Sequence, residues 1–190
     1  MIHKLFYHIF HKFIKMTVFS IMELEDIFPL INEIKDEEIK GKVKKCIEMA
    51  MERGNWKSLD EIPFTLLIEN AYSYVKHVNN VSKMAYEIGK LRDDIDLDSL
   101  IAGAILHDVG KLLEYQKKDG KFVKSQLGKY LRHPAIGAAL AMEAGLDVKV
   151  VNIIAAHSKE GELVERCKEA IIVHHCDFID FEIARCKNDN

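Results

Sequence analysis

Apolar residues recur along this chain with the three- and four-residue spacing of helices, and no segment is strand-rich. Ile2, Leu5, Phe6, Ile9, Phe10, Phe13 and Ile14 keep that spacing, with Lys and His on the opposite face. Residues 1–21 therefore predict a basic amphipathic helix, lying on a membrane or a partner, or packing on the domain or a second subunit. The alternative is that the native start is Met16 or Met22 and the stretch is an extended reading frame. Residues 22–53 predict two helices. Asp36 caps the second, Gly41 weakens its interior, Gly54 stops it, and Ile39, Val43, Ile47 and Met51 form its buried face. A connector over 54–63 holds Trp56 and Pro63, and Trp56 can serve core packing or stack on a substrate base.

Residues 64–92 predict a helix with Val75, Val78, Val81, Met84, Ala85 and Ile88 on its apolar face and His77 on or beside it. The acidic turn 93–98 caps a helix over 97–114. It lacks the glycine and terminal glutamate of a calcium loop. Asp119-Gly120 marks a turn, with a short hairpin possible. Helices over 130–145, with Pro134 in the first turn, 148–158, capped by Asp147, and 167–186 follow, with a charged loop over 159–166. The expected class is all-α, a compact multi-helix bundle. Its parts are the extension 1–21, N-terminal helices over 22–63 packing on the core, and a main domain over 64–186.

At 190 residues and 48% hydrophobic, the chain can bury one substantial core. A net charge of −3 argues against grip on long nucleic acid, which draws affinity from many basic contacts to phosphate. No apolar stretch reaches membrane-span length. Cys46, Cys167, Cys176 and Cys186 make no C-x-x-C pair and read as free thiols of a cytoplasmic protein. Cys176 neighbours the candidate site described next; burial as a small hydrophobe competes with a redox-sensitive role. Lys117, Lys118, Lys121 and Lys124 form either a solvated loop or an electropositive rim that draws in phosphate.

The chemistry centres on residues 102–111, AGAILHDVGK, where an apolar run ends in His107 and Asp108. A carboxylate at the edge of a core needs a cation, either Lys111 one turn on or a metal ion. His77, His133, His157, His174 and Asp177 recur on or at the ends of apolar helices, and imidazole with carboxylate is the ligand set of Zn, Mn, Fe and Ni. Adjacent residues of an α-helix point roughly 100° apart, so His107 and Asp108 can turn to one cavity, with Asp108 bridging two cations. Six ligands (His77, His107, Asp108, His133, His157 and Asp177) exceed what one catalytic metal with an open position requires, which suggests two.

His77, then His107-Asp108 in LHDVGK, then Asp177 resembles the HD-domain superfamily of metal-dependent phosphohydrolases over about residues 64–182. RHPAIGAAL and IIAAHSKEG also look like that family. The pattern is most similar to the HD domain of bacterial 3′→5′ exoribonucleases, which join it to an OB-type nucleic-acid module for which these residues leave no room; processive RNA degradation is not expected. The resemblance implies that His77, His107, Asp108 and Asp177 hold one metal while Asp108, His133 and His157 serve a second. Asp180 or His174 could take the place of Asp177. Asp108 and Lys111 are the implied catalytic residues, Lys111 as a phosphate contact; its structural alternative is a salt bridge to Asp108 or Glu114. His174 and His175 are candidates for the general acid. The ions would be Mn, Fe, Co, Ni or Zn. The implied activity is phosphomonoesterase or phosphodiesterase action on a nucleotide, cyclic nucleotide or short oligonucleotide through metal-bound hydroxide, in a possible homodimer. Two other classes stay open: a di-iron oxygenase of the same superfamily, and a non-catalytic binding module.

Overall fold

A computed structural model describes residues 23–186, so the amphipathic pattern of residues 1–21 lies outside the described residues. The chain begins with α1 (Leu24–Ile27), a 3-10 turn (Pro29–Glu33) and the long α2 (Glu37–Gly54). Asp36 caps α2 by accepting from the amides of Glu38 and Ile39, a contact worth about 1 kcal/mol. Gly54 is the last helical residue, as expected, but the left-handed cap position is taken by Asn55, at φ 55°. Gly54 serves a close approach instead: a Cβ there would lie 2.3 Å from the carbonyl oxygen of Leu112.

The helix expected over 64–92 begins only at Tyr74. Ser73 caps α3 (Tyr74–Gly89), and residues 64–72 form a loop closed by a bridge between Pro63 and Ser73. The amide of Phe64 donates to Tyr72 and that of Tyr74 to Ile62, so these backbone groups are satisfied across the loop. Phe64 and Tyr72 stack at 4.5 Å inside it. Trp56 is a core residue: its indole donates to the Leu112 carbonyl at 2.6 Å and its ring stacks on Phe122.

The central helix α4 (Leu97–Leu106) is capped by Asp96 and buried from Ser99 to Leu106. It ends eight residues earlier than the expected 97–114. The bonds from Val109 to Leu106 and from Lys111 to Asp108 span three residues, so His107–Gly110 is a tightened turn before the single-turn α5 (Lys111–Glu114). Next comes an antiparallel hairpin of β1 (Tyr115–Lys118) and β2 (Lys121–Lys124). Asp119 and Gly120 both have positive φ, as a tight two-residue hairpin turn demands.

The helix expected over 130–145 is two helices, α6 (Gln126–Tyr130) and α7 (His133–Ala144). Pro134 has no amide to donate, so it suits the first turn of a restarted helix. Gly145, at φ 90°, ends α7. Asp147 caps α8 (Val148–Ala156), a 3-10 turn covers Lys159–Leu163, and α9 (Lys168–Cys186) closes the described chain.

Two apolar clusters flank α4. One joins it to α2, α7 and α8 through residues such as Val43, Ile47, Ile105, Leu140 and Ile154; the other joins it to α3, α8 and α9 through Val81, Leu100, Ile153 and Val173. Gly103 lets α8 approach, since a Cβ there would meet Ile153 at 2.5 Å. No described helix is long and apolar enough to cross a membrane.

Candidate metal centre

The six residues picked out by pattern converge at the ends and inner faces of five elements. His77 lies on the buried face of α3, His107 and Asp108 follow the end of α4, His133 opens α7, His157 follows the end of α8, and Asp177 lies within α9. His77, His107, Asp108, His133 and His157 are buried, and Asp177 is half-buried.

Asp108 is the junction. Its Oδ2 faces His77 Nε2 at 3.3 Å and His107 Nε2 at 3.5 Å. Its Oδ1 faces His133 Nε2 at 3.2 Å and His157 Nε2 at 3.6 Å. Within each imidazole pair the Nε2 atoms are 3.2 Å apart. Asp177 joins the first pair, its Oδ1 lying 3.1 Å from His77 Nε2 and 3.9 Å from His107 Nε2.

The opposite nitrogen of every ring is anchored. His107 Nδ1 donates to the carbonyl of Ala104 and His157 Nδ1 to that of Ile154, both at 2.7 Å. His77 Nδ1 meets Asp180 at 2.7 Å, and His133 Nδ1 meets Glu114 at 3.0 Å. A carbonyl or carboxylate can only accept, so Nδ1 carries the proton, and wherever the ring is neutral a lone pair on Nε2 turns inward. That explains why Asp108 Oδ1, though 3.2 Å from His133 Nε2, has no hydrogen-bond partner among the described residues: acceptor faces acceptor. Orphaned and buried, this oxygen calls for a cation. Two nitrogens held at about 2.0–2.1 Å from one ion stand roughly 3.0–3.4 Å apart at ordinary ligand angles, which matches both Nε2 pairs. The donor set fits divalent metal. Among the described residues two groups meet the spacing for an ion: His77, His107 and Asp108, and Asp108, His133 and His157; Asp177 is in neither group, although its Oδ1 lies 3.1 Å from His77 Nε2.

The electrostatics agree. Burial pushes the His107 pKa down to about 3 and lowers that of His133, which keeps both rings neutral. His77 is the exception: burial opposes its charge, but hydrogen bonds to Asp108, Asp177 and Asp180 outweigh it and lift its pKa to about 10, so without an ion this corner holds a proton on Nε2 that a bound cation would displace. Burial disfavours the charge on Asp108, yet the Lys111 ammonium beside it holds it well below the usual carboxylate range. Asp177 is likewise lowered, burial being outweighed by its hydrogen bond with His77. Burial of Glu114 is outweighed by its bonds to His133, which bring it to about 2.

Lys111 donates to Asp108 Oδ2 and, at 2.6 Å, to the carbonyl of Phe64; it makes the ion pair with Asp108 rather than with Glu114. Asp180 stands behind His77, on the side away from Asp108 and Asp177, while Phe64 stacks on the His77 ring at 4.7 Å. His174 belongs to neither group; its Nδ1 donates to the backbone carbonyl of His157 at 2.6 Å, and His175 is exposed. Of the hairpin lysines, Lys117 pairs with Glu61 and Lys124 lies 3.4 Å from Glu114. Sequence reasoning missed Glu114 as a partner of His133; no spacing signal marks it, since the contact depends on the turn after Asp108.

A family model described as HD domain matches residues 74–182. Over 174 residues the chain is 28% identical to the dihydroneopterin 2′,3′-cyclic phosphate phosphodiesterase of Methanocaldococcus jannaschii, an alignment covering 84% of this chain and 70% of that protein. Over 94 residues it is 31% identical to ribonuclease Y of Pseudothermotoga lettingae, covering 50% of this chain but 15% of that much longer protein. No solved structure matches.

Proposed function

The chain belongs to the HD-domain family of metal-dependent phosphohydrolases, and we propose that it hydrolyses a small phosphodiester with two divalent ions, one at His77, His107, Asp108 and Asp177 and one at Asp108, His133 and His157. The observation that carries this reading is the division of labour at Asp108, whose two oxygens face two separate imidazole pairs. Bound divalent ions supply Lewis acidity and activate water at neutral pH. The protein's own groups do the rest. Four rings anchored at Nδ1 already point Nε2 inward, so ion binding needs little movement of them, and at His77 it displaces a proton. Asp108 spans both positions. Lys111, fixed by Phe64 and Asp108, retains a third N–H that can meet a phosphoryl oxygen as charge builds on it.

The substrate class proposed is a nucleotide-like cyclic phosphate or a short phosphodiester. The named activity of the archaeal relative, which acts on a 2′,3′-cyclic phosphate, supports it. The ribonuclease relative is matched over too little of its length to lend its activity to this chain.

The test is elemental analysis of the purified protein beside Asp108→Ala, with both assayed on 2′,3′-cyclic nucleotides and on bis(p-nitrophenyl) phosphate. The reading expects about two divalent ions per chain and diester hydrolysis, both lost in the variant and both removed by a chelator. Two irons with no hydrolysis would point instead to the oxygenase class. No metal and no hydrolysis, even after metal is added back, would leave a binding module.

A further inference from the structure

We propose that Asp180 and Glu114 are positioning residues, each dedicated to a different one of the two cation positions. The inference rests on the two-ion reading above and concerns how the protein sets the affinity of each ion. Each imidazole pair holds one ring backed by a carboxylate and one backed by a peptide carbonyl: His77 with Asp180 beside His107 with Ala104, and His133 with Glu114 beside His157 with Ile154. A carboxylate behind Nδ1–H strengthens the opposite nitrogen as a ligand more than a neutral carbonyl does, and it fixes the ring plane.

The two carboxylates are separately built. Asp180 is buried and held by donors from three side chains. Its Oδ1 accepts from Asn80 at 2.9 Å, and its Oδ2 accepts from the Tyr72 hydroxyl and from His77 Nδ1. Glu114 is almost fully buried. Its Oε2 accepts from the His133 amide at 2.8 Å and from His133 Nδ1, while its Oε1 lies 3.3 Å from Arg132 and 3.4 Å from Lys124. Asp180 touches no ring of the second pair, and Glu114 touches none of the first. Among the described residues the two pairs share a single proposed ligand, Asp108. Loss of charge at one carboxylate therefore reaches one ion and not the other. Asp180 follows Asp177 by one turn of α9, so a single helix supplies both the inward and the backing carboxylate of His77.

The experiment titrates Co(II) into the metal-free full chain, read by calorimetry and by the cobalt d–d absorption, for the wild type, Asp180→Asn, Glu114→Gln and Tyr72→Phe. The wild type is expected to bind in two resolvable phases. Asp180→Asn should weaken one phase about 10–100-fold and Glu114→Gln should weaken the other by a similar factor, with stoichiometry and the shape of the cobalt spectrum retained. Tyr72→Phe, which removes only a hydroxyl, should weaken the Asp180 phase by a smaller factor; it carries the test if Asp180→Asn does not fold. The proposal is overturned if both variants weaken the same phase, if each weakens both phases equally, or if neither changes affinity. It is also overturned if Asp180→Asn loses an ion and alters its spectrum, which would make Asp180 a ligand. Two ions without diester hydrolysis would defeat the proposed function and leave this inference standing. Hydrolysis with both variants acting on one phase would do the reverse.

Discussion

His107 and His157 close two different helices in the same way: each donates Nδ1–H to the carbonyl three residues back at 2.7 Å, and the two rings meet 5.0 Å apart at 77°. A helix end leaves carbonyls without partners. Here the imidazole satisfies one of them, and the same bond fixes which nitrogen faces the centre. One contact therefore serves the fold and the proposed chemistry together.

The ion pair of Asp108 and Lys111 makes the first prediction. Both groups are buried, and the Lys111 ammonium otherwise meets the Phe64 carbonyl and the Phe64 ring. Removing one partner of a buried pair leaves the other charged and uncompensated. Asp108→Ala should destabilise the chelator-treated protein by about 3 kcal/mol. Adding Lys111→Met should recover most of that loss in urea denaturation without restoring metal. A double variant no more stable than Asp108→Ala would mean the pair is not what holds the turn.

Gly110 is packed for contact rather than for conformation. Its φ of −64° suits any residue, but a Cβ there would lie 2.0 Å from the His133 carbonyl oxygen and 2.7 Å from the Gly137 amide nitrogen. Both are backbone atoms, so α7 must move. Gly110→Ala should cost roughly 2–3 kcal/mol and weaken the ion proposed at His133. Gly41→Ala is the contrast. Nothing lies within 4 Å of its Cβ position inside α2, so it should stabilise by about 0.5–1 kcal/mol. Equal stabilities for the two variants would contradict this packing.

The cysteines separate by burial. Burial pushes the Cys46 thiol up to about 12 and the Cys176 thiol, beside Asp177, up to about 11, whereas Cys186 is exposed. A thiol titrating that far above neutrality stays protonated and reacts slowly. With Ellman's reagent at pH 8 the native protein should release a fast equivalent from Cys186, while Cys46 and Cys176 react only on unfolding. Rapid labelling of Cys176 would restore its redox-sensitive reading.

Much of the local structure was legible because its causes are local. Asp36, Asp96 and Asp147 cap helices through their own neighbours, Asp119-Gly120 turns the hairpin, and Pro134 sits in the first turn of a helix. The end of α4 was hidden because Val109, Leu112 and Leu113 continue the apolar spacing through a turn of different pitch. The loop over 64–72 was hidden because long-range backbone bonds and the stacking of Phe64 on Tyr72 decide it.

The sequence by itself determined the all-helical class and the imidazole and carboxylate set, since both follow from residue type and periodicity. Only the tertiary structure decided which oxygen of Asp108 faces which pair and that Asp177, rather than Asp180, faces the inward nitrogen of His77. Asp177 and Asp180 are one turn apart on the same helix and equivalent in pattern. What separates them is the placement of α3 against α9, which sets one carboxylate at Nε2 and the other at Nδ1, and that placement comes from the packing of Val81, Val173 and their neighbours around α4.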